Sequence, residues 1–378
     1  MGETTDVFIV GGGPAGLATA IAVRRHGLRV MVADVEQPPI DKACGEGLLP
    51  DSVDALARLG VTLGSLDGYK FRGIQFLDGT ATPRAYFPAG PGIGVRRKTL
   101  HERLLRRASE CGVCTVWRTR VTVLNDEELL SDGTCVRARW IVGADGANSL
   151  VRRRSDLDSL VQRKQRFAYR RHYRVQPWSD CVEVYWGPRL QVYVTPVGPT
   201  EVCVAVVSRD PKLRLGEALG VFPALSARLG KSEPTSTERG GTTSMLRLRR
   251  VCVGRVALVG DASGRVDAIT GEGLGLAFKQ AWALAEAIAA NDLRLYEVAH
   301  RQMVRRAWMM ARYLLILDRW PGLRDGVTQI FKRQPQLFER FVAAHLGALN
   351  EKGVFMAGAS LGWSLLTGRM NSLIRIAL

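Results

Sequence analysis

Short apolar runs separated by a helix-like stretch predict a strand, a helix and a second strand at the start of the chain. Residues 7–10 are all apolar and fit a buried strand, and residues 17–23 are rich in Ala, Leu and Ile, which favour a helix. Residues 28–33 form a second, mostly apolar run. Because a helix-length segment separates the two runs, the pattern predicts parallel strands joined by a crossover helix.

Two other patterns occupy the rest of the chain. Residues 68–95 and 165–250 alternate apolar and polar positions in pieces broken by Gly and Pro, as antiparallel strands do, and from residue 293 the pattern becomes helical. We therefore predict an α/β protein with three regions. They are a discontinuous parallel-sheet domain (1–67, 96–164 and 251–292), an inserted antiparallel β-sheet domain (68–95 and 165–250) and a C-terminal helical region (293–378).

The turn after the first strand is rich in glycine and contains Gly11, Gly13, Pro14, Ala15 and Gly16. In a GxGxxG turn, the first glycine makes the bend, the second leaves room for a pyrophosphate and the third lets the helix pack close to the strand. The second strand ends in Asp34, 23 residues beyond Gly11, where a carboxylate can accept hydrogen bonds from a ribose. The sequence therefore predicts a dinucleotide site at the start of the first helix.

Two further turns of glycine and aspartate follow apolar runs. Asp145 follows the run at 136–142, and Gly260 and Asp261 follow the run at 255–259. Ligands of parallel sheets bind in the crevice at the carboxyl ends of the strands, where these aspartates are expected to lie. The next helix begins in a glycine-rich segment with Gly271, Gly273 and Leu274. Its free N–H groups can stabilise negative charge.

In this order and at these separations, the three turns resemble the fingerprints of the p-hydroxybenzoate hydroxylase superfamily of FAD-dependent oxidoreductases. The segments at 44–47 and 270–273 are most similar to the geranylgeranyl reductase branch and to related bacterial flavoprotein monooxygenases. The resemblance implies a Rossmann-type FAD-binding domain with an inserted antiparallel substrate sheet and C-terminal helices. It also implies FAD contacts by Asp34, Cys44, Gly45, Arg97, Asp145 and Asp261.

Four residues are candidates for a role in catalysis. Cys44 has a counterpart beside the flavin in the reductase branch, and neighbouring Lys42 could lower the pKa of its thiol; the alternative is a small wall residue. His172 begins the inserted sheet and could line a substrate cavity, or it is structural. Tyr185 and Trp186 fall on opposite faces of one strand and belong either to an aromatic pocket that excludes water or to the sheet core.

Two reactions remain open on this reasoning. The leading hypothesis is an FAD-dependent monooxygenase that uses NAD(P)H and dioxygen to hydroxylate an aromatic or other hydrophobic, lipid-like substrate. The alternative is an enzyme similar to geranylgeranyl reductase that reduces C=C bonds of a prenyl lipid. A flavin-binding sensor is a third class. The sequence has one glycine fingerprint of dinucleotide type, so NAD(P)H is expected to dock transiently.

Charge and composition narrow the partners. The 53 Lys and Arg residues exceed the 36 Asp and Glu residues by 17, which favours anionic partners. No nucleic-acid-binding motif accompanies this charge, so we expect no specific nucleic acid. The arginine-rich, amphipathic C-terminal helices predict either peripheral contact with an anionic membrane or a lid over the FAD domain.

Cysteine and histidine usage gives two further expectations. The seven cysteines are scattered and the start of the chain lacks the basic region of a secretory signal, so we expect reduced thiols and a cytoplasmic protein. The five histidines show no metal-ligand spacing, so no metal is expected.

Overall fold

The computed structural model describes residues 3–79, 82–124, 128–131, 134–158 and 160–377. In chain order, the strands are β1 (Glu3–Val10), β2 (Val30–Asp34), β3 (Gly47–Leu48), β4 (Gly68–Phe71), β5 (Gly73–Leu77), β6 (Arg84–Tyr86), β7 (Gly92–Val95), β8 (Cys114–Trp117), β9 (Val121–Leu124), β10 (Glu128–Ser131), β11 (Thr134–Gly143), β12 (Leu160–Arg174), β13 (Cys181–Gly187), β14 (Leu190–Gly198), β15 (Glu201–Ser208), β16 (Arg239–Leu248), β17 (Cys252–Val253), β18 (Val256–Leu258) and β19 (Gly264–Arg265).

The α-helices are α1 (Pro14–Arg24), α2 (Pro50–Arg58), α3 (Arg97–Glu110), α4 (Leu150–Arg154), α5 (Leu215–Gly220), α6 (Pro223–Leu229), α7 (Gly273–Ala289), α8 (Leu293–Arg319), α9 (Pro321–Arg333), α10 (Pro335–His345) and α11 (Glu351–Ala377). Two short 3-10 helices cover Gly260–Ser263 and Ala268–Thr270.

The first layer is a mixed sheet with a parallel centre. Its main path runs β17–β18–β11–β1–β2–β8, and all neighbours from β18 to β8 are parallel. The strand β11 pairs with β1 on one side, and on its other side with β10 at its start and β18 at its end. This parallel centre, with its crossover helix α1, confirms the predicted α/β class.

Helices cover this sheet and contribute much of the largest hydrophobic core. In α1, the side chains of Leu17 and Ile21 are fully buried, and α7 packs against α1 with Phe278 and Leu284 fully buried. The apolar period of each helix therefore faces the core, as the sequence pattern indicates. The tight packing of α1 against α7 brings the starts of these two helices, which are far apart in sequence, close together.

The second layer is an antiparallel sheet in the order β19–β16–β12–β15–β14–β13–β5–β6, in which only the β13–β5 pair is parallel among the described strands. The strands β4 and β7 do not join it; they pair with β3 in a separate sheet. This small sheet lies directly against β14, because a side chain at Gly94 would overlap the Pro196 carbonyl oxygen. The alternating pattern correctly predicted strands here but not their division between two sheets.

The C-terminal helices pack on the antiparallel sheet through a cluster of four aromatic rings. The rings of Phe331 in α9 and Phe338 in α10 stack with centroids 4.6 Å apart. Phe76 in β5 lies 4.9 Å from Phe338 and 5.6 Å from Trp186 in β13. None of the helices in the described part of the chain combines the length and the hydropathy of a bilayer-spanning segment.

Candidate cofactor site and substrate cavity

The three turns of glycine and aspartate meet at one edge of the parallel sheet. The Ala144 N–H donates to the Val10 carbonyl at 2.8 Å, and the Val259 N–H donates to the Gly143 carbonyl at 2.9 Å. All three turns line one cavity of about 1970 Å³. The convergence expected from the sequence is therefore present in the fold, at the carboxyl ends of the parallel strands.

The first glycine turn is closed on one side and open on the other. Gly11 has a φ of +111°, which favours glycine, and a side chain at Gly16 would overlap the Gly11 carbonyl oxygen. Beside Gly13, the position of a Cβ is open space, and Gly13, Pro14 and Ala15 line the cavity. The first N–H groups of α1 therefore border a space that a pyrophosphate can enter.

Asp34 stands at the end of β2 with its carboxylate held by backbone N–H groups. Its Oδ2 accepts from the Gly12 N–H at 2.6 Å, and its Oδ1 accepts from the Glu36 N–H at 2.8 Å. Each carboxylate oxygen can accept a further hydrogen bond, and Asp34 lines the cavity. The side chain is oriented before any ligand arrives, in a position suited to ribose hydroxyls.

The third turn contacts the first turn directly. Gly260 has a φ of +62°, and a Cβ there would lie 2.7 Å from the Cβ of Ala15. The neighbouring Asp261 accepts from Lys42 Nζ at 3.1 Å. Burial alone would raise the pKa of Asp261, but Lys42 and Arg265 together hold it below its ordinary value. Asp261 is thus a carboxylate in the cavity wall, and the loop that carries Lys42 is fixed to the third turn.

The start of α7 and the second turn complete the cofactor end of the cavity. Gly271 has a φ of +69°, and both Gly271 and Gly273 have open space where a Cβ would stand. Leu274 lines the cavity beside them. Asp145 accepts from the Leu150 N–H at 2.6 Å through Oδ2, and its buried Oδ1 has no hydrogen-bond partner among the described residues.

A buried ionic network, which the sequence reasoning did not find, supports the flavin loop. Glu46 has a φ of +60° and is 2% exposed. Its Oε1 accepts from the Arg97 backbone N–H at 2.9 Å, its Oε2 lies 2.6 Å from His172 Nε2, and Arg170 Nε lies 3.7 Å from the carboxylate. Glu46 thereby joins the loop after residue 44 to the start of α3 and to β12.

His172 lies in this network and not among the residues that line the cavity. It is fully buried, and its Nδ1 lies 2.7 Å from Ser236 Oγ. Ligand atoms of Glu46, His172 and Cys203 lie within 4.8 Å of one another, which is a spacing that a metal ion could use. Because the Arg170 guanidinium already neutralises the carboxylate, we interpret the cluster as an ion-pair network. The position of Glu46 in the 44–47 segment was visible in the sequence, but its partners were not.

Cys44 lies in the cavity wall, next to Gly45 and Arg97. Burial raises the pKa of its thiol, and the nearby Arg97 and the hydrogen bond from the Glu46 N–H only partly oppose this effect. The expected lowering by Lys42 is wrong, because Lys42 is instead paired with Asp261. Cys44 is therefore an undissociated thiol at neutral pH. The backbone N–H of Arg97 is fixed by Glu46, and its buried Nε has no hydrogen-bond partner among the described residues.

The two aromatic candidates of β13 point to different faces of the sheet. Trp186 lines the cavity with Val184 and Val182, whereas the Tyr185 hydroxyl donates to Glu183 Oε2 at 2.7 Å on the other face. Burial and the Glu183 carboxylate raise the pKa of Tyr185. The alternation along β13 predicted this separation, and it places Tyr185 in the core behind the sheet rather than beside the cavity.

The cavity extends beyond the three turns into an apolar region. Its walls there come from the antiparallel sheet and the C-terminal helices and include Phe71, Ile74, Phe76, Leu317, Phe331, Phe338 and Leu361. Ligand pockets commonly measure roughly 300–1,000 Å³, so a volume of about 1970 Å³ has room for a dinucleotide and a second molecule. The open space at Gly13 and Gly273 and the partnerless Asp145 Oδ1 fit FAD at the polar end.

A buried histidine beneath the third turn makes the stability of this site depend on pH. Burial lowers the pKa of His300 to about 4 from the ordinary value of 6.5, and its Nε2 lies 3.0 Å from Ser263 Oγ. Between these values the unfolded chain binds a proton that the folded chain excludes, so stability falls as the pH falls below 6.5. The histidine contributes about 2 kcal/mol to this loss by pH 5.

We expect His300→Gln, which keeps a hydrogen-bonding group but does not titrate, to remove that contribution. Urea unfolding at pH 7 and pH 5 should show the stability difference between wild type and variant narrowing by about 2 kcal/mol. A difference that stays constant between the two pH values would contradict this assignment.

Comparison with known proteins identifies the class of this site. Residues 4–212, more than half of the chain, match the family described as FAD binding domain, and the chain belongs to this family. It is an FAD-dependent oxidoreductase of the p-hydroxybenzoate hydroxylase-like type, with FAD as its cofactor.

Three similar proteins illustrate the range of this family. The menaquinone reductase of Mycobacterium tuberculosis (strain ATCC 25618 / H37Rv) is 27% identical over 365 residues, which is 89% of each chain. The 3-amino-4-hydroxybenzoate 2-monooxygenase of Streptomyces platensis is 26% identical over 81% of this chain and 86% of its own. The solved structure of a geranylgeranyl bacteriochlorophyll reductase-like protein from Thermoplasma acidophilum has a TM-score of 0.77 at 21% identity, covering 98% of this chain and 100% of that one.

Proposed function

We propose that the protein is a monooxygenase that hydroxylates a hydrophobic, lipid-like substrate with an aromatic or otherwise activated head, using FAD, dioxygen and NAD(P)H. The observation that carries this proposal is the continuity of the cavity. The same space that borders Gly13, Asp34 and Asp261 continues between the antiparallel sheet and the C-terminal helices. A substrate in the apolar part would therefore meet the cofactor without passing through water.

FAD supplies the redox chemistry when bound, since its reduced form can pass electrons to dioxygen or to a substrate double bond. The residues of this chain supply position and shelter. The aromatic cluster closes the apolar part of the cavity with rings of Phe76, Trp186 and Phe338 in mutual contact. Water is excluded from such a surface, which suits a reaction that must not leak to solvent.

Trp186 offers the substrate a polar contact as well as an apolar wall. Its indole Nε1–H is buried and has no hydrogen-bond partner among the described residues, and the side chain lines the cavity. A buried donor without a partner costs about 1–3 kcal/mol, which an oxygen on the bound substrate would recover. This supports a phenol-like or quinone-like head at that end of the cavity.

The donor of electrons is proposed to dock from outside. In the described part of the chain, the glycine turn at Gly11 is the one of dinucleotide type, and it belongs to the FAD end of the cavity. NAD(P)H would then bind transiently at the cavity opening and leave before or after oxygen reacts.

A second candidate function is favoured by two observations. The relative named menaquinone reductase aligns over 89% of this chain, and Cys44 presents an undissociated thiol in the cavity wall. In an enzyme that reduces C=C bonds, a proton must reach the carbon opposite the one that receives hydride. Cys44 is the wall residue suited to donate it.

Oxygen dependence separates the two functions. We expect the holoenzyme, given NADPH or NADH and a long-chain alkylphenol, to form a product that has gained one oxygen atom from labelled dioxygen, by mass spectrometry. The same enzyme given a prenylated menaquinone without oxygen should return it unchanged. Two hydrogens added anaerobically, with no oxygen-labelled product in air, would replace the monooxygenase with the reductase.

Cys44→Ser provides an independent test. In the monooxygenase, Cys44 is only a wall residue, so the variant should keep kcat within about threefold of wild type, since a conservative change at a wall position costs well under 1.4 kcal/mol. If the thiol is the proton donor of a reductase, general acid catalysis is lost and kcat should fall at least about a hundredfold. Steady-state kinetics with equal flavin content decide between these outcomes.

A further inference from the structure

We propose that the exposed apolar faces of α8 and α11 form a docking face for an anionic lipid bilayer. The docking face consists of Tyr313, Ile316 and Trp320 on α8 and Phe355, Met356, Trp363 and Leu366 on α11. The docking itself is independent of the reaction. Its purpose, which is to let a lipid-like substrate enter from the membrane, rests on the proposed function.

The first observation is an unpaired apolar stripe on α11. Phe355, Trp363 and Leu366 are 73%, 71% and 65% exposed. On the other side of the helix, Leu361 and Leu365 pack on the core that holds the aromatic cluster. Residues 353–367 contain no charged side chain. Large apolar side chains exposed together in this way mark a surface that meets an apolar partner.

The second observation is the amphipathic outer face of α8. Tyr313, Ile316 and Trp320 are about half exposed. Beside them run Arg305, Arg312 and Arg319, which are also exposed and recur every seven residues, so they share one side of the helix. A basic stripe next to exposed aromatic residues is the composition of a helix that lies in a membrane interface.

The third observation connects the docking face to the active site. Tyr313, Ile316 and Phe355 are exposed to solvent and also line the cavity described above. They therefore form part of the rim where the cavity opens. A molecule that leaves a bilayer at this rim enters the apolar part of the cavity without crossing water.

Charge decides between a bilayer and a second copy of the chain as the occupant. Besides the α8 arginines, Lys332 and Arg333 are exposed near α11, where Gln334 Nε2 lies 3.4 Å from Ser364 Oγ. The acidic groups here are already paired: Glu351 with Arg305 at 2.8 Å, and the buried Asp318 with Arg209 at 2.8 Å. Two such basic faces repel each other, whereas the negative surface of an anionic bilayer attracts them.

Vesicle flotation of the holoenzyme tests the proposal. Wild type should float with vesicles of phosphatidylcholine mixed with phosphatidylglycerol and much less with phosphatidylcholine alone. Raised salt should weaken this binding. The double variant F355S/W363S should lower the partition coefficient at least tenfold. The matched control L66S/V221S, which also removes two exposed apolar side chains but away from α8 and α11, should bind like wild type.

Two results would overturn the docking proposal. One is flotation that is absent in wild type or equal in wild type and F355S/W363S. The other is a wild-type dimer in sedimentation velocity that F355S/W363S dissociates, without vesicle binding, which would make a second copy the occupant. Turnover of a short-chain, water-soluble phenol is measured in parallel. If turnover persists without docking, only the docking proposal fails; if docking persists without turnover, only the proposed function fails.

Discussion

Replacing Gly13 with glutamate is expected to abolish FAD binding while the protein still folds. The position of a Cβ at Gly13 is open space, and its φ of −70° suits any residue, so the substitution causes no strain in the fold. The new carboxylate would stand at the start of α1, where the pyrophosphate is placed. Juxtaposed like charges cost several kcal/mol, so the affinity for FAD should fall at least about a hundredfold, or ~2.8 kcal/mol.

The matched control is Gly216→Glu. Gly216 is an exposed glycine of α5 that also has open space at its Cβ position, so this variant changes net charge equally, away from the cavity. Flavin absorbance of the purified proteins and titration of apoprotein with FAD measure the effect, and thermal unfolding of the apoproteins checks the fold. A Gly13→Glu protein that retains one flavin per chain would refute the placement of the pyrophosphate.

Arg166→Met is expected to be the most destabilising single change of charge in the antiparallel sheet. Arg166 Nη1 donates to Asp267 Oδ1 at 2.7 Å, and the two side chains are 3% and 0% exposed. Arg166 also donates to Gln191, which donates to Asp318 of α8. Removing one partner of a buried ion pair leaves the other uncompensated, which costs about 3–5 kcal/mol.

The consequence reaches the cofactor end of the cavity, because Asp267 also accepts from the Ile269 N–H at 3.0 Å and caps the 3-10 helix that leads to Gly271. Urea unfolding should show that R166M/D267N is less destabilised than the sum of the two single variants. Arg106→Met, which breaks an exposed pair with Glu110, should cost under about 1 kcal/mol. Equal effects of R166M and R106M would contradict the role of the buried pair.

The parts of the fold that the sequence predicts are those in which one segment suffices. The apolar run before Gly11, the helix after it and Asp34 at the next strand end form one continuous unit, and the structure contains that unit with those bounds within a few residues. The alternation in β13 likewise separates Trp186 from Tyr185 because neighbouring strand residues face opposite sides.

The features that sequence reasoning missed depend on partners distant along the chain. Lys42 is near Cys44 in sequence, yet it pairs with Asp261, 219 residues away. Glu46 owes its importance to Arg97, Arg170 and His172, which belong to two other elements. Such pairings follow from how α3, β12 and the flavin loop pack in three dimensions, and no local spacing encodes them.

The position of β18 has a consequence for the order of assembly. This strand completes the edge of β11 and leads into Gly260, yet more than 110 residues, including most of the antiparallel sheet, separate it from the end of β11. A nascent chain that has emerged from the ribosome only as far as β15 therefore carries the first glycine turn without its facing wall. FAD can be clasped only after the start of α7 has been synthesised, so cofactor capture is a late event that closes the folding of the whole enzyme.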